Sequence, residues 1–351
     1  MDNDEEEHRP RGGSDTEAAQ KEEAMALTDL VLEGGGAKLP GLVGAINALT
    51  SADYSFNRIA GTSAGAIVGA LTTAGIPPEQ LIETILGKDF TDFEDLNPAF
   101  SLVPWLGKVQ GLLFHKGMYL GTALHDFLDD ILSAQGIRTW GDLRLHDPES
   151  ALPPERQYRL VVIVSDVSRG RMLRLPWDYR SALGVDPDSQ SVAEAVCASA
   201  ATPFFFRPRS LKAEPSVAGG ASVLGSDGGL LSNFPVDIFD RKDAQPARWP
   251  TLGVMLSART TAEAEWRPNA NTYEYAVSLL STMINAHDRR HIDEPSVTER
   301  TIFVDTDRHS STDFALSRED KLDLIDSGTN AARSFLNHWD WLEWKEHYGR
   351  R

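Results

Sequence analysis

The first apolar cluster of the chain is Leu30-Val31-Leu32, inside a run from Leu27 to Glu33 that stops at Gly34-Gly35-Gly36. A short apolar run halted by glycines reads as a buried strand. The period then changes, and Leu42, Ala45, Ile46 and Leu49 fall on one face of a helix. Phe56-Asn57-Arg58-Ile59-Ala60 reads as the next strand, and Ala64, Ile67, Val68 and Leu71 as the helix that follows. This strand-loop-helix-strand unit predicts two parallel strands joined by a right-handed crossover. Both strand-to-helix loops then lie at the C-terminal edge of a sheet, where open α/β sheets place their ligands.

The rest of the chain extends the same pattern. Pro77-Pro78 opens a helix carrying Leu81, Ile82, Ile85 and Leu86. Leu160-Val161-Val162-Ile163-Val164 is the strongest strand, and Ser168-Arg169-Gly170 turns it into a hairpin with Met172-Leu173-Arg174-Leu175, whose arginines are expected on a solvated face. A small-residue helix runs from Ala193 to Ala201, and further strands fit Ser222 to Leu224, Leu252 to Leu256 and Thr301 to Val304. Leu322, Ile325, Ala332, Phe335, Trp339 and Leu342 form a last helical stripe, expected to pack on the sheet. Residues 25–351 therefore read as one α/β domain with a central, mostly parallel sheet.

Residues 1–24 differ in kind, being rich in Asp, Glu, Gly and Ser with almost nothing large and apolar. They are expected to form a disordered acidic tail. With 351 residues, 41% of them hydrophobic and 25% charged, the chain has the composition of a soluble globular protein. Its net charge of −18 argues against nucleic acid as a partner. It also means that contact with an anionic membrane surface has to be local and largely apolar. No apolar run approaches the roughly 20 residues that span a bilayer. The acidic N-terminus is unlike a secretory signal, so a cytoplasmic chain is expected. Cys197 is the only cysteine, which excludes an intramolecular disulfide and a multi-cysteine zinc site.

Gly61-Thr62-Ser63-Ala64-Gly65 places a serine between two glycines at the strand-to-helix junction. A nucleophile elbow has this form, with the hydroxyl at a helix N-terminus where backbone N–H groups favour developing negative charge. A helix-capping serine is the alternative. Gly34-Gly35-Gly36 offers backbone that approaches a ligand closely, suited to a phosphate or to an oxyanion. The dinucleotide pattern requires glycine where Leu39 stands, and Lys38 lacks the flanking residues of a P-loop, which favours the oxyanion hole. The serine needs a base. None of the nine histidines sits in a motif, whereas Asp227 lies in Ser226-Asp227-Gly228-Gly229, a tight turn able to aim a carboxylate. An ordinary Asp-Gly turn is the alternative there.

Together these elements resemble the patatin-like phospholipase family, in the family's order and spacing, from about Leu27 to beyond Asp237. Gly34-Gly35-Gly36-Ala37-Lys38 is similar to its oxyanion-hole signature, Gly61 to Gly65 to its elbow, and Asp227-Gly228-Gly229 to its aspartate motif. Ala198-Ser199-Ala200-Ala201-Thr202-Pro203 is similar to its Ala-Ser-x-x-x-Pro segment. Leu39-Pro40-Gly41 departs from the signature, which has glycine directly after the Lys/Arg position, and Pro40 suits a first helical turn.

The resemblance implies a three-layer α/β/α patatin-like fold and a Ser63-Asp227 dyad acting on the acyl esters of phospholipids or lysophospholipids. It requires no metal or cofactor and brings transient contact with a membrane surface. Lys38 would hold the loop or attract an anionic head group, or simply be solvated. Residues 90–120, with Phe93, Phe100, Trp105, Leu112, Leu113 and Phe114, are expected to be a lid or acyl-chain wall, or a packed insertion. Two rivals remain: a Ser-His-Asp hydrolase using Asp305 and His309, and a catalytically silent or partner-gated module of the same fold with a regulatory partner. The sequence leaves the oligomeric state open.

Overall fold

A computed structural model describes residues 26–97, 104–150, 152–243, 245–257, 275, 278, 279, 282 and 294–349. The expected acidic tail, Phe100, His287 and His291 lie outside the described residues. The strands are β1 Ala26–Leu32, β2 Tyr54–Thr62, β3 Gly117–Tyr119, β4 Leu160–Asp166, β5 Arg171–Leu175, β6 Phe204–Phe206, β7 Arg209–Lys212, β8 Ser222–Asp227, β9 Thr251–Met255 and β10 Thr301–Phe303. Eight of them form the main sheet in the order β10-β9-β1-β2-β4-β8-β7, with β5 also paired to β4, while β3 and β6 form a separate two-stranded sheet. From β10 to β4 the pairing is parallel, as expected. The pairs β4-β5, β4-β8 and β7-β8 are antiparallel.

Every residue of β4 is buried, as befits a strand in the middle of a sheet. β5 pairs with it continuously from Val162 to Asp166 along one edge. The other edge is shared: β2 pairs with Leu160 to Ile163, and β8 takes over from Val164 to Asp166. β2 arrives parallel and β8 antiparallel, so their C-terminal ends abut at Ile163 and Val164. Thr62 is paired with Ile163 and Asp227 with Val164.

The main helices are α1 Pro40–Ser51, α2 Ala64–Thr73, α3 Pro78–Gly87, α4 Pro104–His115, α5 Thr122–Ala134, α6 Val192–Ser199, α7 Arg318–Leu336 and α8 Trp341–Tyr348. Proline in the first turn starts α1 and α3. Ser191 caps α6 by accepting from Glu194 N–H, and Ser317 with Asp320 forms a capping box on α7. None of the described helices is long and apolar enough to cross a membrane.

Two expectations need correction. The C-terminal helix α7 packs chiefly on α1 rather than on the sheet; its buried residues are Lys321, Leu324, Ile325, Gly328 and Ala332, of which only Ile325 and Ala332 belong to the expected stripe. Leu322 and Leu342 are exposed, because Leu322 lies off this face and Leu342 belongs to α8, beyond the end of α7. The hairpin arginines Arg169 and Arg174 are only partly solvated, and each is paired to a carboxylate. Arg169 Nε pairs with Asp166 Oδ2 at 2.6 Å and Arg174 Nε with Asp178 Oδ2 at 3.0 Å, both carboxylates being buried.

Glycine allows α1 and α7 to touch backbone to backbone. A Cβ on Gly44 would collide with the Ile325 carbonyl, and one on Gly328 with the Gly41 carbonyl. Helix propensity alone makes Gly328→Ala stabilising by up to about 1 kcal/mol. The collision reverses the sign, and a loss of about 1–3 kcal/mol is expected in urea unfolding of the variant.

Candidate active site

Parallel register brings two loops together. Leu32 of β1 is paired with Gly61 of β2, so two residues further on Gly34 stands level with Ser63. A Cβ on Gly34 would lie 3.2 Å from Ser63 Cβ. One on Gly61 would collide with the Gly65 carbonyl, and one on Gly65 with the carbonyls of Leu32 and Glu33, so both flanking glycines are sterically required. Ser63 itself has φ +51°, a conformation rare for a side-chain-bearing residue, and α2 starts at the next position. Its hydroxyl does not cap α2. Instead Ser63 Oγ donates to Asp227 Oδ2 at 3.1 Å.

Asp227 ends β8 and uses both oxygens. Oδ1 accepts from Gly229 N–H at 2.9 Å, and Oδ2 accepts from Ser63 and, at 2.9 Å, from Thr202 Oγ1. The expected Asp-Gly turn and the serine contact therefore coexist on one carboxylate. A Cβ on Gly228 would collide with the Ile163 carbonyl, so only glycine lets the turn sit on β4.

The segment at the end of α6 touches both partners. Ser199 is fully buried; its Oγ accepts from Ser63 N–H at 2.8 Å and donates to the Ile163 carbonyl at 2.6 Å. The Ala201 carbonyl accepts from Asp227 N–H at 3.0 Å and from Ser226 Oγ at 2.9 Å.

The glycine loop is fixed from the other side by Asn233. Its carbonyl accepts from Gly34 N–H at 3.3 Å, and its Nδ2 donates to the Gly34 carbonyl and to Glu33 Oε1, each at 3.2 Å. Glu33 Oε2 accepts in turn from Leu256 N–H. Gly34, one of the three expected oxyanion donors, thus has its N–H engaged. No acceptor among the described residues takes the N–H of Gly35 or Gly36. Gly36 has φ +55° and leads into the helical turn Gly36–Lys38, where Ala37 N–H donates to the Ser311 carbonyl at 2.9 Å and Lys38 is half-buried. Ala64 N–H, in the first turn of α2, belongs to the donors that a helix leaves without an internal partner.

Ser63 and Asp227 are each only 6% exposed. Burial pushes the Asp227 carboxyl above the ordinary aspartate range, against the three hydrogen bonds that favour its charge. None of the described histidines is a hydrogen-bond partner of Ser63. His309 Nε2 faces Asp323 Oδ2 at 3.2 Å, and His125 Nδ1 faces Asp126 Oδ1 at 3.3 Å. In the 90–120 segment Phe90 and Phe93 are core residues, while α4 leaves Trp105 and Phe114 exposed. Tyr119, just after α4, meets Phe205 with ring centroids 4.7 Å apart, which ties the segment to the strand that follows Thr202.

The sequence motifs missed Asn233 and Glu33 as parts of this site, and gave Ser199 and Thr202 only as letters of one segment. A signal was present: two hydroxyls, Ser199 and Thr202, punctuate a run of alanines between a helix and a strand.

Residues 30–240 match the profile of the family described as patatin-like phospholipase. The uncharacterized protein YqhO of Bacillus subtilis (strain 168) is 34% identical over 314 residues, which cover 89% of this chain and 98% of that protein. Among solved structures, VipD from Legionella pneumophila aligns with a TM-score of 0.47 at 17% identity, over 88% of this chain and 66% of VipD. Full-length ExoU in complex with full-length SpcU, from the type III secretion system of Pseudomonas aeruginosa, aligns with a TM-score of 0.44 at 18% identity, over 89% of this chain and 53% of the other. The chain thus spans between half and two thirds of the length of these two structures.

The raised Asp227 pKa has a consequence for stability. The folded state favours the protonated carboxyl, so its full stability is present below the unfolded value of about 3.9 and is lost as pH rises through the higher folded midpoint. Asp227→Asn abolishes that loss. Its unfolding free energy is expected to gain on wild type by about 1.4 kcal/mol for every pH unit between the two midpoints, then to level off. Urea unfolding from pH 4 to 8 measures the difference, and a constant difference contradicts the assignment.

Proposed function

The chain belongs to the patatin-like phospholipase family, and from that premise we propose that it hydrolyses carboxylic esters of phospholipids or lysophospholipids through Ser63 and Asp227. The observation that carries the reading is the buried hydrogen bond from Ser63 Oγ to Asp227 Oδ2, 3.1 Å long, at the C-terminal edge of the parallel strands. Asp227 takes the Ser63 proton as Oγ attacks the ester carbonyl. The N–H groups of Gly35, Gly36 and Ala64 stabilise the oxyanion, while Gly34 shapes the loop. Collapse of the intermediate expels the alcohol, which takes the proton back from Asp227 and leaves an acyl group on Ser63. Water then attacks the acyl carbonyl as Asp227 accepts its proton, and the fatty acid leaves as Ser63 recovers its hydrogen.

Aspartate in water is a weak base for this task, and burial of Asp227 is the feature that strengthens it. The pairing of His309 with Asp323 speaks against the histidine-dependent alternative. Within this reading α4, with Trp105 and Phe114 exposed, is available to lipid among the described residues of 90–120.

Hydrolysis of a phospholipid with a labelled acyl chain, and labelling by a fluorophosphonate, test the proposal. Ser63→Ala is expected to lose both, and Asp227→Asn to lose hydrolysis by on the order of 1,000-fold or more. Undiminished hydrolysis in either variant removes the dyad. Catalysis needs Asp227 ionised, so kcat/KM should fall on acidification with a midpoint above the ordinary aspartate value. A flat profile down to pH 4 contradicts that role.

A further inference from the structure

The geometry points to Ser199 and Thr202 as positioning residues of the dyad: Ser199 fixes the backbone on which the nucleophile stands, and Thr202 aims the Asp227 carboxylate and stabilises its charged form. The inference rests on the Ser63-Asp227 reading and extends it to a segment that neither motif contains.

Ser199 solves a problem set by the sheet. Beyond Thr62 the chain leaves the ladder for α2, so Ser63 N–H and the Ile163 carbonyl have no strand partner for each other. Ser199 Oγ accepts from the first at 2.8 Å and donates to the second at 2.6 Å, and its own side chain is fully buried. It thereby ties the strained residue, with φ +51°, to the central strand. Moving that N–H moves Oγ.

Thr202 acts on the other half. Its hydroxyl donates at 2.9 Å to Oδ2, the same oxygen that accepts from Ser63. A donor to a carboxylate favours the ionised form, which is the form that works as a base. When the Ser63 proton passes to Oδ2, one lone pair remains on that oxygen, and Thr202 keeps its hydrogen bond there. The carboxylate therefore stays aimed through the whole cycle. Both residues stand on one short segment, so the spacing between nucleophile and base is set by a single piece of chain.

Most of the charged groups on the elements packed around Asp227 have partners of their own. Glu33 at the end of β1 is bound by Asn233 and Leu256 N–H. Asp166 on β4 pairs with Arg169, and Glu194 on α6 pairs with Arg209. Cys197 on α6 is buried, and Lys38 lies on the turn after the glycine loop. The direct partners of the Asp227 carboxylate are the hydroxyls of Ser63 and Thr202 and the Gly229 N–H.

The test follows the Asp227 carboxyl by carbon-13 NMR through a pH titration of the full chain, with Asp227→Asn to assign its resonance. Thr202→Val keeps the shape and removes the donor; the midpoint is expected to rise by about one pH unit, and Thr202→Ser to restore it. With a short-chain ester, Thr202→Val should lower kcat at neutral pH and leave KM within about twofold, since substrate binding is untouched. An unmoved midpoint in Thr202→Val overturns the role of Thr202. For Ser199→Ala the midpoint should stay and the rate of fluorophosphonate capture by Ser63 should fall about tenfold or more. Capture at the wild-type rate overturns the role of Ser199. Where Ser199→Ala does not fold, Ser199→Cys, with a weaker donor, decides by the same criterion. The NMR midpoint needs no turnover, so it can fail while Ser63→Ala still abolishes hydrolysis, and a lost dyad is told apart from a lost strap.

Discussion

One edge of β4 carries two strands end to end, and the site depends on that arrangement. β5 occupies the opposite edge without interruption, so β2 and β8 have to share what is left. They come from opposite directions and stop against each other between Ile163 and Val164. A residue just beyond the end of β2 and the last residue of β8 are then forced together, although they are 164 positions apart in the chain. A junction of this kind breaks the ladder, and a broken ladder leaves buried peptide groups in need of partners. The Ser199 hydroxyl fills the break, and the Ala201 carbonyl takes the Asp227 N–H on the other side. The same constraint that brings Ser63 to Asp227 therefore also creates the need for the segment that braces them.

Much of this was legible from residue pattern. The strands around the two loops are apolar runs stopped by glycine, and a stopped strand followed by helical periodicity defines its own C-terminal end. Ser63 and Asp227 could be found because each is framed by glycines whose side-chain hydrogens are the only atoms that fit against the neighbouring carbonyls. The joining of the two halves was not legible. Asn233 reaches Glu33 across 200 positions and Ser199 reaches Ser63 across 136, and no periodicity encodes hydrogen bonds over such separations. β3 and β6 are three residues each, too short to show alternation, and their pairing comes from tertiary contact. The C-terminal stripe has a helical spacing, but α7 buries a neighbouring face, and it buries it against α1. Gly44 and Gly328 explain why: two glycines in helix interiors look unfavourable until they are seen to let two backbones meet.

Loop and turn also depend on each other more than separate motifs suggest. Asn233 belongs to the chain leaving the Asp227 turn, yet its hydrogen bonds go to Gly34 and Glu33 in the glycine loop. This has a cost in donors, since Gly34 N–H is turned inward. In return the loop is held by three contacts to one side chain and its backbone, and the next two N–H groups, which have no acceptor among the described residues, are the ones the proposed oxyanion hole uses. A site assembled from backbone donors gains rigidity only by giving some of them away, and here the first glycine is the one given up.

In the proposed reaction, aspartate in place of histidine ties the chemistry to the burial. Imidazole has a pKa close to neutrality in water, so a histidine base works in a solvated cleft. A carboxylate in water holds its proton too weakly to take one from a hydroxyl, and desolvation has to supply the difference. Each hydrogen bond given to the charged form works against that gain. Asp227 receives three, from Gly229, Thr202 and Ser63, and burial still outweighs them. Two of the three hold the carboxylate in place, and the third comes from the hydroxyl that reacts in the proposed mechanism. Taking donors away would make the base stronger but let it turn, whereas adding one would fix it further and weaken it. For a serine activated by a carboxylate alone, the arrangement at the β2-β8 junction answers both demands: it excludes water and spends its few donors where they also set direction.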